Sequence, residues 1–280
     1  MRYQETLYPE WGQNFEQRQT LFEAATDHQQ LVIFENPRFG RVMALDGVIQ
    51  TTEADEFVYH EMMVHVPMNT HPDPRNVLII GGGDGGILRE VLKHPSVESV
   101  TQVEIDRAVV DMCIEYFPKH SDGAFNDPRL DLVIDDGARF IASNQAQFDV
   151  IITDSTDPIG PGEVLFESDF YQGCARALTD IGILITQNGV PFMQGDEVTN
   201  TYRRWQSSFQ TRTFYLTPVP TYAGGAMAMG FASKSTLTIP SVHDLAERSR
   251  VLPRLRYYTP EIHQGAFGLP QYVQDLMVDY

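Results

Sequence analysis

The sequence predicts an α/β protein in which a small antiparallel β domain precedes a larger, mostly parallel sheet covered by helices. Three observations predict it. Between Gln30 and Thr52 short β-branched runs are separated by turn pairs. From Asn76 onward, short strands apolar on both faces alternate with helical segments. Within that second region VLIIGGGDGGILREVL reads as a strand, a tight glycine turn and the start of a helix, the arrangement that opens a nucleotide-binding half-sheet.

In order along the chain, QQLVIFENPRFGRVMALDGVIQTT carries turn chemistry at Asn36-Pro37, Phe39-Gly40 and Asp46-Gly47, which makes its apolar runs antiparallel hairpins. EADEFVYHEMMVHVPMN has acids early and apolar residues at helical spacing, Phe57, Met62 and Val66 with Tyr59 and Met63, so a helix is expected there. Pro72 and Pro74 then interrupt regular structure, and the expected division is a β domain with its linking helix over 1–70 and a larger domain over 71–280. NVLIIGG, SVTQVEID, LDLVIDDG, FDVIITD and GILITQNG are the buried strands; GILREVLKH, RAVVDMCIEYF and DFYQGCARAL are helical. That alternation gives a parallel sheet. FYLTPVPTY and AMAMGFASKS add two strands, a polar helix spans about Ser241 to Arg250, and the tail is expected to be irregular.

With 280 residues, 42% of them hydrophobic and 21% charged, the chain is expected to fold around one large core. A formal charge of −18 disfavours nucleic acid, whose phosphates need clustered Lys and Arg, and favours cationic partners. The polar first residues do not resemble a secretory signal, and no run approaches the roughly 18 apolar residues that span a bilayer; a cytoplasmic protein without a membrane partner is expected. Cys113 and Cys174 lack metal-site spacing and read as reduced bystanders.

Gly81, Gly83 and Gly86 satisfy GxGxxG, and Glu104 ends the next strand, placed to accept from the two ribose hydroxyls of an adenosine. These features fit a dinucleotide enzyme and an adenosylmethionine enzyme equally. Asp84 separates them. It stands where a pyrophosphate would otherwise sit, and two like charges at about 4 Å repel by roughly 4 kcal/mol at an effective dielectric of 20. The same repulsion disfavours the carboxylate of ordinary S-adenosylmethionine and welcomes the amine left by decarboxylation. Asp84 as a mere turn former or helix cap is the alternative. Further polar residues follow the strands, where open α/β sheets bind ligands: Asp135, Asp136 and Gly137, then Asp154 and Asp157. Asp136-Gly137 is equally a common turn pair. DSTDPIGPGE is a proline- and glycine-rich loop suited to fold over a ligand.

Together GGGDGG, VEID, VIDDG, DSTDPIGPGE, TTEADEFVYHEM, ALDGVIQ, PTY and RYYTPEIHQGAFGLPQY resemble the spermidine synthases, bacterial ones in particular, within the polyamine aminopropyltransferases. The resemblance spans nearly the whole chain. It implies a methyltransferase-like Rossmann domain after the small β domain, a sheet ending in an antiparallel strand, and a homodimer or homotetramer. It implies no metal or redox cofactor, with decarboxylated S-adenosylmethionine as co-substrate and putrescine as acceptor. Residue by residue, it makes Asp154 the proton acceptor and puts Asp84 beside the aminopropyl nitrogen. It lines the polyamine channel with Tyr59, His60, Ser155, Thr156, Asp157, Gln187 and Tyr222, and gives the nucleoside Gln29, Gly81, Gly83, Glu104, Asp136, Gly137 and Pro161. Other branches carry glutamine at the position of His60. A sister enzyme with a longer acceptor, a putrescine N-methyltransferase, an NAD-dependent oxidoreductase and a silent scaffold are the rival readings.

Overall fold

A computed structural model describes residues 1–155, 160–253 and 255–278. The strands β1 (Arg2–Gln4) and β2 (Asn14–Glu16) pair antiparallel. An antiparallel sheet follows in the order β3 (Gln19–Ala25), β4 (Gln30–Asn36), β5 (Gly40–Leu45) and β6 (Val48–Thr52). The last hairpin closes through Asp46-Gly47, both at positive φ, the backbone a two-residue turn between twisted strands requires. β1 to β3 were not legible in the sequence, because β1 and β2 are three residues long with a single inward side chain each, and β3 is mostly exposed without a regular alternation.

Helix α1 (Glu56–Thr70) was expected from an amphipathic spacing, yet every residue except Phe57 is buried. It packs on α2 (Gly86–Leu92) and against the large sheet, and its polar residues are satisfied inside the protein. That large sheet has the order β12-β13-β11-β10-β7-β8-β9. Its members are β7 (Asn76–Gly81), β8 (Ser99–Glu104), β9 (Leu130–Ile134), β10 (Phe148–Asp154), β11 (Leu178–Gln187), β12 (Thr211–Thr217) and β13 (Met227–Ser233). The pairings from β9 through β11 are parallel, and β13 runs antiparallel to both β11 and β12. The reversed strand is thus last in the chain but lies inside the edge.

The remaining helices are α3 (Arg107–Tyr116), α4 (Pro118–Ser121), α5 (Gly137–Ala142), α6 (Ser168–Ala177), α7 (Gly195–Arg204), α8 (Val242–Ser249), α9 (Pro260–Ala266) and α10 (Gln271–Gln274). The last two occupy the tail expected to be irregular. Alternate strand residues feed two cores: Val77, Ile79, Val150 and Ile152 pack with Met62 and Met63 of α1, whereas Leu78, Ile80 and Ile151 pack with Phe170, Tyr171 and Trp205. This is why those strands read as continuous apolar runs. The small sheet docks through Leu31, Ile33, Met43 and Leu45 onto Val109, Cys113 and Phe117 of α3 and its end. Cys113 and Cys174 are free and buried.

Candidate active site

Strand order reverses at β7, which pairs with β8 on one side and β10 on the other, so a crevice opens beyond its carboxyl end. Gly81 stands opposite Asp154 in the register. Its φ is +82°, and a Cβ there would lie 2.0 Å from the Asp154 carbonyl oxygen, so no other residue fits. Gln102 donates from Nε2 to the carbonyls of Gly81 (3.0 Å) and Gly82 (2.7 Å), clamping the loop from below. Asp84 then turns its carboxylate back, Oδ1 accepting from the Gly86 N–H at 2.8 Å. A Cβ at Gly86 would meet the His60 ring at 2.2 Å; this glycine is what lets α1 and the loop approach.

The crevice encloses about 290 Å³ and is bounded by both sheets. Six carboxylates line it, those of Glu5, Asp46, Asp84, Glu104, Asp136 and Asp154, and no lysine or arginine is among the described lining residues. A wall of this kind repels anions and concentrates a cationic guest.

Four groups carry the local electrostatics. Burial, then the charge of Asp84, pushes the Asp154 carboxyl up to about 6, against the opposing hydrogen bond from Tyr59 and charge of His60. The Tyr59 hydroxyl donates to Asp154 Oδ1 at 2.6 Å. Burial would also raise Asp84, but the charge and hydrogen bond of His60, with the Gly86 N–H, hold it well below the usual carboxylate range. His60 lies between two acids, Nδ1 2.7 Å from Glu56 Oε2 and Nε2 3.2 Å from Asp84 Oδ2. Burial would lower its pKa; the two carboxylates overcome this and raise it to about 10. Burial raises Glu104 to about 7 although its Oε1 accepts from the Asp106 N–H at 3.0 Å.

Residues 56–242 match the family model described as spermine/spermidine synthase domain, and residues 2–53 match the spermidine synthase tetramerisation domain. A polyamine aminopropyltransferase 1 of Pseudomonas aeruginosa is 61% identical over 97% of this chain and 96% of its own. One from Pseudomonas syringae is 59% identical over the same shares. The chain belongs to the spermine/spermidine synthase family. Among solved structures, a spermidine synthase in complex with the transition-state analogue AdoDATO superposes with a TM-score of 0.93 at 41% identity, covering 99% of this chain and 94% of that one. The spermidine synthase of Thermotoga maritima gives 0.92 at 41% with the same coverage.

Of the residues singled out by the sequence, Gln29, Tyr59, His60, Gly81, Gly83, Asp84, Glu104, Asp136, Gly137, Asp154, Ser155, Gln187 and Tyr222 all line the crevice. Thr156 and Asp157 lie outside the described residues, and Pro161 falls in the 3-10 turn Gly160–Phe166 with its side chain outside them. Asp136 is also the helix cap that its turn-pair reading suggested, Oδ1 accepting from the N–H groups of Ala138 (2.8 Å) and Arg139 (3.2 Å). Asp135 is not in the main crevice; it pairs with Arg139 beside a shallow annex. Gln187 is braced, its Oε1 accepting from the Gly189 N–H at 2.6 Å. Tyr222 donates to the Gln50 carbonyl at 2.7 Å, and its ring meets Tyr59 edge-on at 5.8 Å.

Sequence reasoning missed Glu5, Thr6, Tyr8, Gln50 and Gln194, which also line the crevice. The first three lie in a polar segment without periodicity, brought in by long-range bonds such as Tyr8 hydroxyl to Gln194 Oε1 at 2.8 Å. The early acids of α1 turn inward. Asp55 makes no side-chain cap; its Oδ2 accepts from the N–H and hydroxyl of Thr221 at 2.9 and 2.7 Å, anchoring the loop that bears Tyr222.

Proposed function

We propose that this protein transfers the aminopropyl group of decarboxylated S-adenosylmethionine to putrescine, giving spermidine and 5′-methylthioadenosine. The observation that carries the reading is Asp84, buried in the glycine loop of a crevice with six carboxylates and no described lysine or arginine. A pyrophosphate or the carboxylate of the undecarboxylated donor meets repulsion there, and an ammonium meets a counter-charge.

In this reading Glu104 accepts from the ribose hydroxyls and Asp136 from the adenine amino group through its carboxylate oxygen not used in capping. Gln29, Gly81, Gly83, Gly137 and Pro161 complete the nucleoside site. Asp84 receives the aminopropyl ammonium. Tyr59, His60, Ser155, Gln187 and Tyr222 border the amine path, with Thr156 and Asp157 assigned to it from the family resemblance. The neutral amine of putrescine attacks the propyl carbon bound to the sulfonium. The carbon–sulfur bond breaks, its electron pair goes to sulfur, and methylthioadenosine leaves as a neutral thioether. The sulfonium is itself a good leaving group, so the protein contributes in-line positioning and a proton acceptor. The proton from nitrogen goes to Asp154, aligned by the Tyr59 hydroxyl.

The co-substrate supplies all the chemistry and no metal or redox group is required. Among the described residues no cluster of three or more His, Cys, Asp or Glu is arranged to hold a metal, and no helix is long and apolar enough to cross a membrane. We place the enzyme in the cytoplasm, as a homodimer or homotetramer built through residues that match the tetramerisation model. Incubation with decarboxylated donor and putrescine should yield spermidine and methylthioadenosine in equal amounts by mass spectrometry. Methyl transfer from S-adenosylmethionine instead would overturn the reading.

A further inference from the structure

The site described above contains one buried acid that it does not use. Glu56 begins α1, is 9% exposed and is not among the residues lining the crevice. Its Oε2 lies 2.7 Å from His60 Nδ1 and 2.9 Å from Arg89 Nη2. Arg89 is fixed in turn by donating to the carbonyls of Lys119 (3.0 Å) and His120 (2.7 Å). On its other side the His60 ring presents Nε2 to Asp84 Oδ2 at 3.2 Å. A ladder therefore runs Arg89, Glu56, His60, Asp84, alternating in sign from the partly exposed Arg89 through the buried Glu56 and His60 to the crevice wall.

A neutral imidazole has one N–H and one lone pair; with a carboxylate on each nitrogen, one carboxylate would face a lone pair. Only the doubly protonated ring donates to both. Among the described residues no cationic side chain bonds Asp154; its carboxylate accepts from the neutral Tyr59 hydroxyl. Two carboxylates facing one crevice raise each other's pKa, and the one without a cation accepts a proton first.

We propose that Glu56 is a positioning residue for the reaction: by holding the second proton on His60 it keeps an imidazolium against Asp84, so that Asp84 stays ionised for the cationic donor and Asp154 is the carboxylate left to take the proton. The groups facing His60 agree with this assignment. Glu56 and Tyr59 approach from α1, Asp84 from the glycine loop and Asp154 from the end of β10. His120 of α4 lies with its ring centre at 6.1 Å and bonds Thr51 through Nε2 at 2.9 Å. Burial holds His120 below the usual histidine range, so it supplies no competing cation near neutrality. Arg89 and Arg256 stand beyond Glu56, Arg256 at 3.9 Å.

The proposal depends on the reaction above only for its kinetic arm. Nitrogen-15 NMR of the imidazoles in the resting wild-type protein at pH 8 should show both ring nitrogens of His60 protonated; a neutral ring overturns the proposal without reference to any substrate. In Glu56→Gln the ring should titrate between pH 6 and 8. The acidic limb of kcat/KM should rise by up to about one pH unit, lowering kcat/KM by up to about tenfold where the ring has lost its second proton, while methylthioadenosine binding stays unchanged. In a His60→Gln background Glu56→Gln should add no further shift. An unmoved limb, or an equal shift in the His60→Gln background, overturns the proposal. Should Glu56→Gln fail to fold, the wild-type spectrum decides. Absence of spermidine formation by the wild type would instead count against the reaction.

Discussion

Replacing Asp154 by asparagine separates a base from a wall. The substitution keeps shape and an oxygen for the Tyr59 hydroxyl now bound at 2.6 Å, and removes the charge. A primary amine near pKa 10.4 and an unperturbed aspartate near 3.9 differ by roughly 6.5 units, about 9 kcal/mol uphill for proton transfer. With Asp154 raised to about 6, the gap shrinks to roughly 4 units, about 6 kcal/mol. A positioned base of this kind is worth about 10²- to 10⁴-fold, so Asp154→Asn should lose that much of kcat. Stability should move the other way. The folded pKa lies above the unfolded one, so the Asp154 contribution is greatest below about pH 4 and is lost as pH rises through about 6. At pH 7.5 the variant should gain up to about 3 kcal/mol, an upper limit because the carboxylate opens onto the crevice and water. The assay is methylthioadenosine release by mass spectrometry, with calorimetric binding of methylthioadenosine and a melting curve as controls. Turnover within tenfold of wild type would refute the reasoning.

Asp84→Asn should narrow the preference for the decarboxylated donor over S-adenosylmethionine by about 10- to 100-fold, less than the roughly 4 kcal/mol of bare like-charge repulsion, because His60 offsets part of the charge; competition binding of the two donors measures it. Glu104, raised to about 7, must be ionised to accept from both ribose hydroxyls. Methylthioadenosine binding should therefore weaken about tenfold per unit as pH falls below 7, and Glu104→Gln should flatten that dependence in calorimetry. Gly86→Ala drives a methyl into the His60 ring, which is locked at both nitrogens, and should cost about 1–3 kcal/mol in denaturant unfolding. Glu90 pairs with His65, Arg89 and Lys93 at 2.9, 2.8 and 2.6 Å; Glu90→Gln should cost about 1–3 kcal/mol, because it weakens the charge-assisted bonds to the partly buried Arg89 and Lys93.

Much of the larger domain was legible because its physics is local. Strands that bury both faces give apolar runs, the reversal at β7 needs a glycine turn, and acids at strand ends collect at one crevice through the parallel register alone. Glu104, Asp154 and Asp84 were found that way. The all-buried α1 was legible as a helix but not in its environment, since burying Glu56, Glu61, His60 and His65 takes partners supplied by other elements: Arg89 for Glu56, and the backbone N–H groups of Arg256, Tyr257 and Tyr258 for Glu61. Glu5 was hidden for the same reason. Its position depends on Ile49 and Gln13, 44 and 8 residues away, and no local pattern encodes such a contact. Asp136 shows that two readings of one residue need not compete, because capping occupies a single oxygen of the carboxylate.

The most direct test of a cation-binding crevice is a crystal structure with spermidine and methylthioadenosine bound together. One amine nitrogen should lie within about 3.2 Å of an Asp84 oxygen and the newly alkylated nitrogen within about 3.2 Å of Asp154. Both carboxylates turned from the polyamine, or an anion resting on the glycine loop, would contradict it.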